Sequence, residues 1–253
     1  MLYHNFLTQA LELGAVLLEN GAETYRVEES LLRIFQGRGV KRVEVFAIPS
    51  MLIVTIHPDD TYKSFTQQKR ILSRGTNLHK ISEANELCRY LCTHDMSAEE
   101  LEKEIQKIRN GPYFSQLTQY IAHGIAGAGF SLFFGGSVMD AFFALFSGFM
   151  VKFIFDQMGK LGTNTFFTNV LASAVLTAWA GLISMSPLHG DMDMIIIGPM
   201  MLLVPGMALT TGMRDIIAGD YLSSIVKLTE VLMIGLGVAL GAYISMSAMG
   251  LLL

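Results

Sequence analysis

Apolar and polar positions alternate with two different periods along this chain. In "LTQALELGAVLLENG", Leu7, Leu11, Gly14/Ala15 and Leu18 recur at helical spacing and predict a helix, which Asn20-Gly21 can end. "AETYRVEESLLRIFQGRG" reads as a second helix stopping at Gly37 and Gly39. In "RVEVFAIPSMLIVTIHP", Val, Ile and Phe alternate on either side of Pro49-Ser50, which predicts a β-hairpin. "SFTQQKRIL" supplies a candidate third strand. A helix is expected to open at Ser82, in "SEANELCRYLCTH", and Ser97 with Glu100 makes a capping-box pattern before "LEKEIQKIRN". After Asn110-Gly111-Pro112 the pattern becomes almost continuously apolar. Five segments, about 115–134, 138–158, 164–185, 193–212 and 225–250, are long enough to cross about 30 Å of hydrocarbon. The expected fold is an α-helical membrane protein of about five transmembrane helices with an N-terminal soluble α+β domain. The expected domains are 1–110 and 111–253.

Charge sharpens this division. Residues 1–110 hold 14 of the 18 Lys and Arg and 15 of the 22 Asp and Glu, while mean hydropathy over all 253 residues is +0.44. The polar part is long enough to fold alone. The net charge of −4 provides no basic surface for nucleic acid. "MLYHNFLTQALELGAVLLEN" has no basic n-region and no small-residue cleavage site, so no signal peptide is expected. Cys88 and Cys92, four apart, suggest reduced thiols on one helix face. Lys152 and Lys160 fall in one inter-span connection and Arg214 and Lys227 in another, whereas the alternate connections carry no Lys or Arg. By the positive-inside rule, the chain is expected in the cell (inner) membrane, multi-pass among lipid, with its N-terminus cytoplasmic and its C-terminus outside.

The fourth segment is the unusual one. Pro199 and Pro205 remove backbone donors within it, and freed backbone groups are tolerated at membrane depth only when buried in protein or facing a cavity. Asp191 and Asp193 precede it, and Arg214, Asp215 and Asp220 follow it. Transporters use such interrupted helices to hold polar solutes, and charged groups there are costly unless paired or functional. Candidates for a substrate or proton pathway are therefore Asp191, Asp193, Pro199, Pro205, Gly206, Arg214, Asp215, Asp220, Glu230 and His123. Glu230 has Lys227 as an i−3 partner. His123, alone in its span, reads more simply as a hydrogen-bond donor within the bundle. The small residues of "HGIAGAGF" and Gly237-x-x-x-Gly241 read as close helix packing. Six methionines between 192 and 213 read as core filling rather than a soft-metal site. An odd number of spans, without a second copy of the unit, implies a partner: another small membrane protein or a second copy of this chain.

In the polar part, "GAETYRVEES" crowds Glu23, Arg26, Glu28 and Glu29 near a helix start. Acids stabilising the helix dipole, with Arg26 paired to a neighbour, explain it simply; a polar, hydrolytic or substrate-sensing site is the sharper reading. "HPDD" (His57, Asp59, Asp60) is a weak metal signal that a turn explains. The chain has neither a glycine-rich phosphate loop nor a nucleophile elbow, so no ATP-driven engine, cofactor or metal is expected. A membrane-anchored hydrolase with its site in 1–110 and a purely scaffolding subunit are the alternatives to transport.

"ENGAETYRVEESLLRIF" followed by a short β-hairpin, and later "PGMALTTGMRDIIAGDYLSSIVKLTEVL", resemble the threonine/serine exporter family over nearly the whole chain. The resemblance implies a cytosolic N-terminal domain followed by a five-span half, as in members split over two genes, with a second, smaller membrane subunit as partner. It implies secondary, proton-driven export of small polar metabolites: threonine and serine, or succinate and other dicarboxylates in some split-type members. It also implies hydrolase-like character in the soluble domain. The matching positions are Gly21, Glu23, Arg26 and Glu28 in the first motif, and Pro205, Gly206, Arg214, Asp215, Gly219 and Asp220 in the second. The scarcity of cations in the membrane half favours a zwitterionic amino acid over a dicarboxylate, because helix termini can hold one carboxylate.

Overall fold

The computed structural model describes residues 2–58, 63–111, 114–188 and 190–250, the side chains of Leu2 and Tyr3 excepted. The elements run α1 (Leu2–Glu19), α2 (Thr24–Gly37), β1 (Arg42–Ile48), β2 (Met51–His57), β3 (Phe65–Arg70), α3 (Leu78–Leu91), α4 (Ala98–Arg109), α5 (Gln116–Phe133), α6 (Val138–Lys160), α7 (Thr165–Ser184), α8 (Met192–Met200), α9 (Gly206–Ala218) and α10 (Tyr221–Ala248). Two compact units emerge: Met1–Pro112 with Met207–Leu228, and Tyr113–Gly206 with Thr229–Leu253.

In the first unit, β1, β2 and β3 form an antiparallel meander, with Ile48 opposite Met51 across the Pro49-Ser50 turn. Strand period puts Leu52, Val54 and Ile56 on one face of β2, all fully buried. They share one core with Leu7, Leu31, Phe35, Leu101 and Ile105 from the helices. Each such side chain contributes about 1.5–3 kcal/mol on burial. Around this core, Glu12 of α1 pairs with Lys69 of β3 and, at 3.0 Å, with Arg109 of α4; Arg109 also reaches Glu19 at 3.1 Å. The Ser97–Glu100 capping box opens α4 as the sequence predicts. Helix α3 opens earlier than predicted, at Leu78 rather than Ser82. Asn77 is the cap, accepting from the Lys80 N–H at 3.1 Å, and Asn caps a helix as well as Ser does. Cys88 is buried and Cys92 half-buried on α3, both as free thiols, and burial pushes the Cys88 thiol up to about 12.

Among the described residues, three helices are long and apolar enough to cross a membrane: α6, α7 and α10. The expectation of five such helices meets two differences. Helix α5 is long enough at 18 residues but is not among the three. The expected span 193–212 is not one helix: α8 ends at Met200, turns occupy 201–204, and α9 begins at Gly206. Only Pro205 stands at this break; Pro199 lies buried inside the last turn of α8. Tight turn bonds take up the local N–H groups, Leu203 to the Met200 carbonyl at 2.9 Å and Gly206 to that of Val204 at 2.8 Å. Small residues pack the helices as expected. A Cβ on Gly198 of α8 would sit 2.2 Å from the Gly127 carbonyl of α5, and one on Gly241 of α10 would sit 2.1 Å from that of Val170 on α7. Ser173 of α7 donates to the Val238 carbonyl at 2.6 Å, satisfying a hydroxyl in apolar surroundings.

Candidate functional site

The two sequence motifs meet in the first unit. Gly21, at φ +92°, turns the chain from α1 into α2 in a conformation that glycine adopts without cost. Glu23 follows as the N-cap residue of α2; its side chain makes no cap hydrogen bond. Its carboxylate points elsewhere: Oε1 pairs with Arg214 of α9, and Oε2 lies 2.6 Å from Arg26 Nε. The Arg26 Nε–H is directed to the Tyr25 hydroxyl at 3.1 Å, so the buried Glu23 Oε2 has charge contact without a hydrogen bond. Thr24, fully buried, donates from Oγ1 to Asp220 Oδ2 at 2.8 Å. One turn on, Glu28 accepts the Ala47 N–H of β1 at 2.7 Å, and Ser223 of α10 lies 3.5 Å from the Ala47 carbonyl. Burial raises the Glu28 carboxyl above the usual carboxylate range and the charge of Asp220 adds to this, while the Ala47 N–H pulls the other way.

Helices α9 and α10 form a hairpin at Gly219 (φ +85°) and Asp220. A side chain with a Cβ would be strained at that glycine. The Asp220 N–H returns to the Asp215 carbonyl at 2.9 Å, fixing the turn. Within the hairpin, Asp215 is completely enclosed and Lys227 is only 10% exposed, with Nζ 2.7 Å from Asp215 Oδ2. Neither Asp215 oxygen makes a hydrogen bond among the described residues, so charge rather than aligned bonding holds this pair. Two charges leaving water cost several kcal/mol each, repaid only by mutual attraction. Helix α10 turns Lys227 toward α9, where the enclosed Asp215 carboxylate attracts it.

Beside the Glu23–Arg214 pair lies a cavity of about 190 Å³, lined by Glu23, Arg26, Asn85, Met207, Thr211 and Arg214 over an apolar floor that includes Leu17 and Val27.

The remaining predicted residues do not join this group. Asp191, exposed, caps α8 by accepting from the N–H groups of Asp193 at 3.0 Å and Met194 at 3.4 Å. Asp193 sits in the first turn of α8, where a carboxylate offsets the positive helix end. Asp140 completes the capping box that Ser137 opens on α6 and accepts the Asp191 N–H at 2.9 Å. His123 Nδ1–H donates to the Gln119 carbonyl at 2.8 Å on its own helix. Pro199, Pro205 and Gly206 shape the interrupted segment, and Glu230 is half-buried on α10. His57 closes β2, while Asp59 and Asp60 lie outside the described residues. Among the described residues, no three or more His, Cys, Asp or Glu side chains gather as a metal site. Sequence reasoning missed Thr24, Ala47 and Ser223. The closeness of Thr24 to Glu23 and of Ser223 to Asp220 could have signalled those two, whereas Ala47 lies 19 residues from its partner Glu28.

Comparison with known proteins bears on this arrangement. Residues 8–249 match the model of the ThrE family, described as "Putative threonine/serine exporter". A "Probable threonine/serine exporter" of Mycobacterium tuberculosis is 21% identical over 95% of this chain, but the match covers only 45% of that protein, so the chain spans about half its length. The "Probable succinate transporter subunit YjjP" of Escherichia coli is also 21% identical, over 95% of this chain and 93% of that protein. The protein of the same description in Klebsiella aerogenes gives the same identity and coverage. No solved structure matches the chain.

Proposed function

The chain belongs to the threonine/serine exporter family, and from that premise we propose that it is one subunit of a secondary, proton-coupled exporter of small polar metabolites, threonine and serine foremost. A smaller membrane subunit of the same family, or a second copy of this chain, completes the pathway. In this reading α5 and the interrupted segment 192–218 join α6, α7 and α10 as five spans. The Lys and Arg residues around 152–160 and 214–227 face the cytoplasm with residues 1–110, and the C-terminus lies outside.

The observation that carries the proposal is the enclosed Asp215–Lys227 pair in the α9–α10 hairpin. A fully enclosed carboxylate held by a single lysine, with no hydrogen bond of its own, has two arrangements: a charged pair, or a neutral acid beside a released lysine. Proton uptake from one side and release to the other would alternate them, which gives the element a coupling role. Lys152 is likewise taken up by Asp156 at 2.5 Å, and Arg214 by Glu23. A dicarboxylate would have to displace these carboxylates, whereas a zwitterion brings its own countercharge. Succinate is the second reading, supported by the end-to-end coverage of the E. coli transporter subunit.

Proteoliposomes loaded with labelled threonine or succinate, carrying this chain with and without a second family subunit, test the proposal. Threonine efflux that accelerates with an imposed proton gradient is expected. The double variant Asp215→Leu/Lys227→Met keeps the fold, since a buried ion pair replaced by apolar groups is often neutral or stabilising, and should abolish efflux. Undiminished efflux from it would remove the pair from the mechanism.

A further inference from the structure

We propose that the cavity beside Glu23 and Arg214 is a binding site for a free α-amino acid, whose occupation releases the contact between α2 and α9. Its ligand class is argued from charge. The cavity presents two guanidinium groups, Arg26 and Arg214, around one carboxylate, Glu23. Glu23 is nine-tenths buried, yet its Oε2 receives no hydrogen bond. An ammonium group has three donors and satisfies that oxygen. Once the ammonium occupies Glu23, the Arg214 guanidinium is freed for the ligand's carboxylate, which it can hold through two parallel bonds. Charge is conserved in this exchange: one ion pair within the protein becomes two between protein and ligand. A dicarboxylate cannot make it, because it brings no ammonium group to take up Glu23 and release Arg214.

Size and lining agree. The cavity, about 190 Å³, is of a size suited to a small ligand such as an amino acid. Thr211, whose hydroxyl donates to the Met207 carbonyl at 2.8 Å, keeps an oxygen able to accept from a ligand hydroxyl. Asn85 offers both donors and an acceptor. The consequence for the protein is mechanical. Glu23–Arg214 and Thr24–Asp220 are the side-chain bonds that join the start of α2 to the α9–α10 hairpin. Losing the first leaves the Thr24–Asp220 hydrogen bond beside the Asp215–Lys227 pair. The site thus reports internal amino-acid level to the coupling element, and this role rests on the exporter reading.

Equilibrium dialysis of the purified full-length chain with labelled threonine, and separately with labelled succinate, tests the site. Threonine should bind and be displaced by unlabelled serine, while succinate should neither bind nor compete. Glu23→Gln and Arg214→Gln should each weaken threonine binding by about 10- to 100-fold, the cost of a lost hydrogen bond to a charged group. Thr211→Phe, which fills the cavity and spares the ion pair, should abolish it, and Glu104→Gln on α4 serves as control. Threonine binding unchanged in Thr211→Phe, or succinate binding as well as threonine, would overturn the proposal even if efflux is normal. Binding that follows these expectations in a chain without efflux in any subunit combination would instead overturn the exporter reading.

Discussion

The interrupted segment 192–218 carries aspartates near both of its ends, and the two ends use them differently. At the α8 end, Asp191 and Asp193 act locally: one accepts backbone N–H groups two and three residues on, and the other sits in the same first helical turn. At the α9–α10 end, Asp215 and Asp220 reach across sequence, to Lys227 and to Thr24, 196 residues away. Equal residue types in mirrored positions therefore carry unequal roles. A carboxylate that satisfies its own helix start can be replaced by any good cap, whereas one enclosed with a lysine from another helix has no substitute in its surroundings.

Breaking the long-range end should have the largest effect. Asp215→Asn leaves Lys227 buried without a countercharge, and loss of one partner of a buried pair costs about 3–5 kcal/mol. A fall in the detergent melting temperature accompanied by loss of efflux is expected. The double variant Asp215→Leu/Lys227→Met should recover the melting temperature and leave efflux abolished, separating fold from transport. Next comes Thr24→Ala, which removes a hydrogen bond to a charged acceptor worth about 1.5–3 kcal/mol. Faster proteolytic release of fragments from the first unit in the full chain would reveal it. Smaller again is the local end. Asp191→Ala should cost about 1 kcal/mol of stability and Asp191→Asn only a few tenths, with efflux intact in both; loss of efflux in Asp191→Asn would erase the contrast between the two ends.

The smallest effect concerns pH. The Glu28 carboxyl is raised chiefly by burial, so the folded protein binds this proton more readily than the unfolded chain. Ionised Glu28 therefore costs stability above its folded pKa. That cost fades as pH falls through the folded pKa, and it is gone below the ordinary value of about 4.3. Glu28→Gln, which keeps an acceptor for the Ala47 N–H, should raise the melting temperature modestly at pH 7 and leave it unchanged near pH 4.

Elements governed by short-range physics were legible in the sequence. The Pro49-Ser50 hairpin, the Ser97–Glu100 box and the stop at Asn20-Gly21 each follow from residues within a few positions. So does the interruption at Pro205, since a missing N–H and a fixed φ act locally. The candidate site was legible only in halves. Both motifs stood out for their charges, but nothing local in "GAETYRVEES" says that Glu23 faces Arg214, 191 residues later. Lys227 shows the same limit. Spacing along α10 does not announce its contact with Asp215, because the face that α10 turns to α9 depends on the hairpin at Gly219.

The placement of the two cysteines opens an experimental route. The Cys88 thiol, pushed up to about 12, is almost never the reactive thiolate at neutral pH, and burial raises Cys92 as well. Alkylating reagents should therefore react slowly with the native thiols. Single cysteines engineered along 201–206 could then be titrated with membrane-permeant and impermeant maleimides in intact cells, so that labelling maps, position by position, which parts of the interruption meet water and from which side.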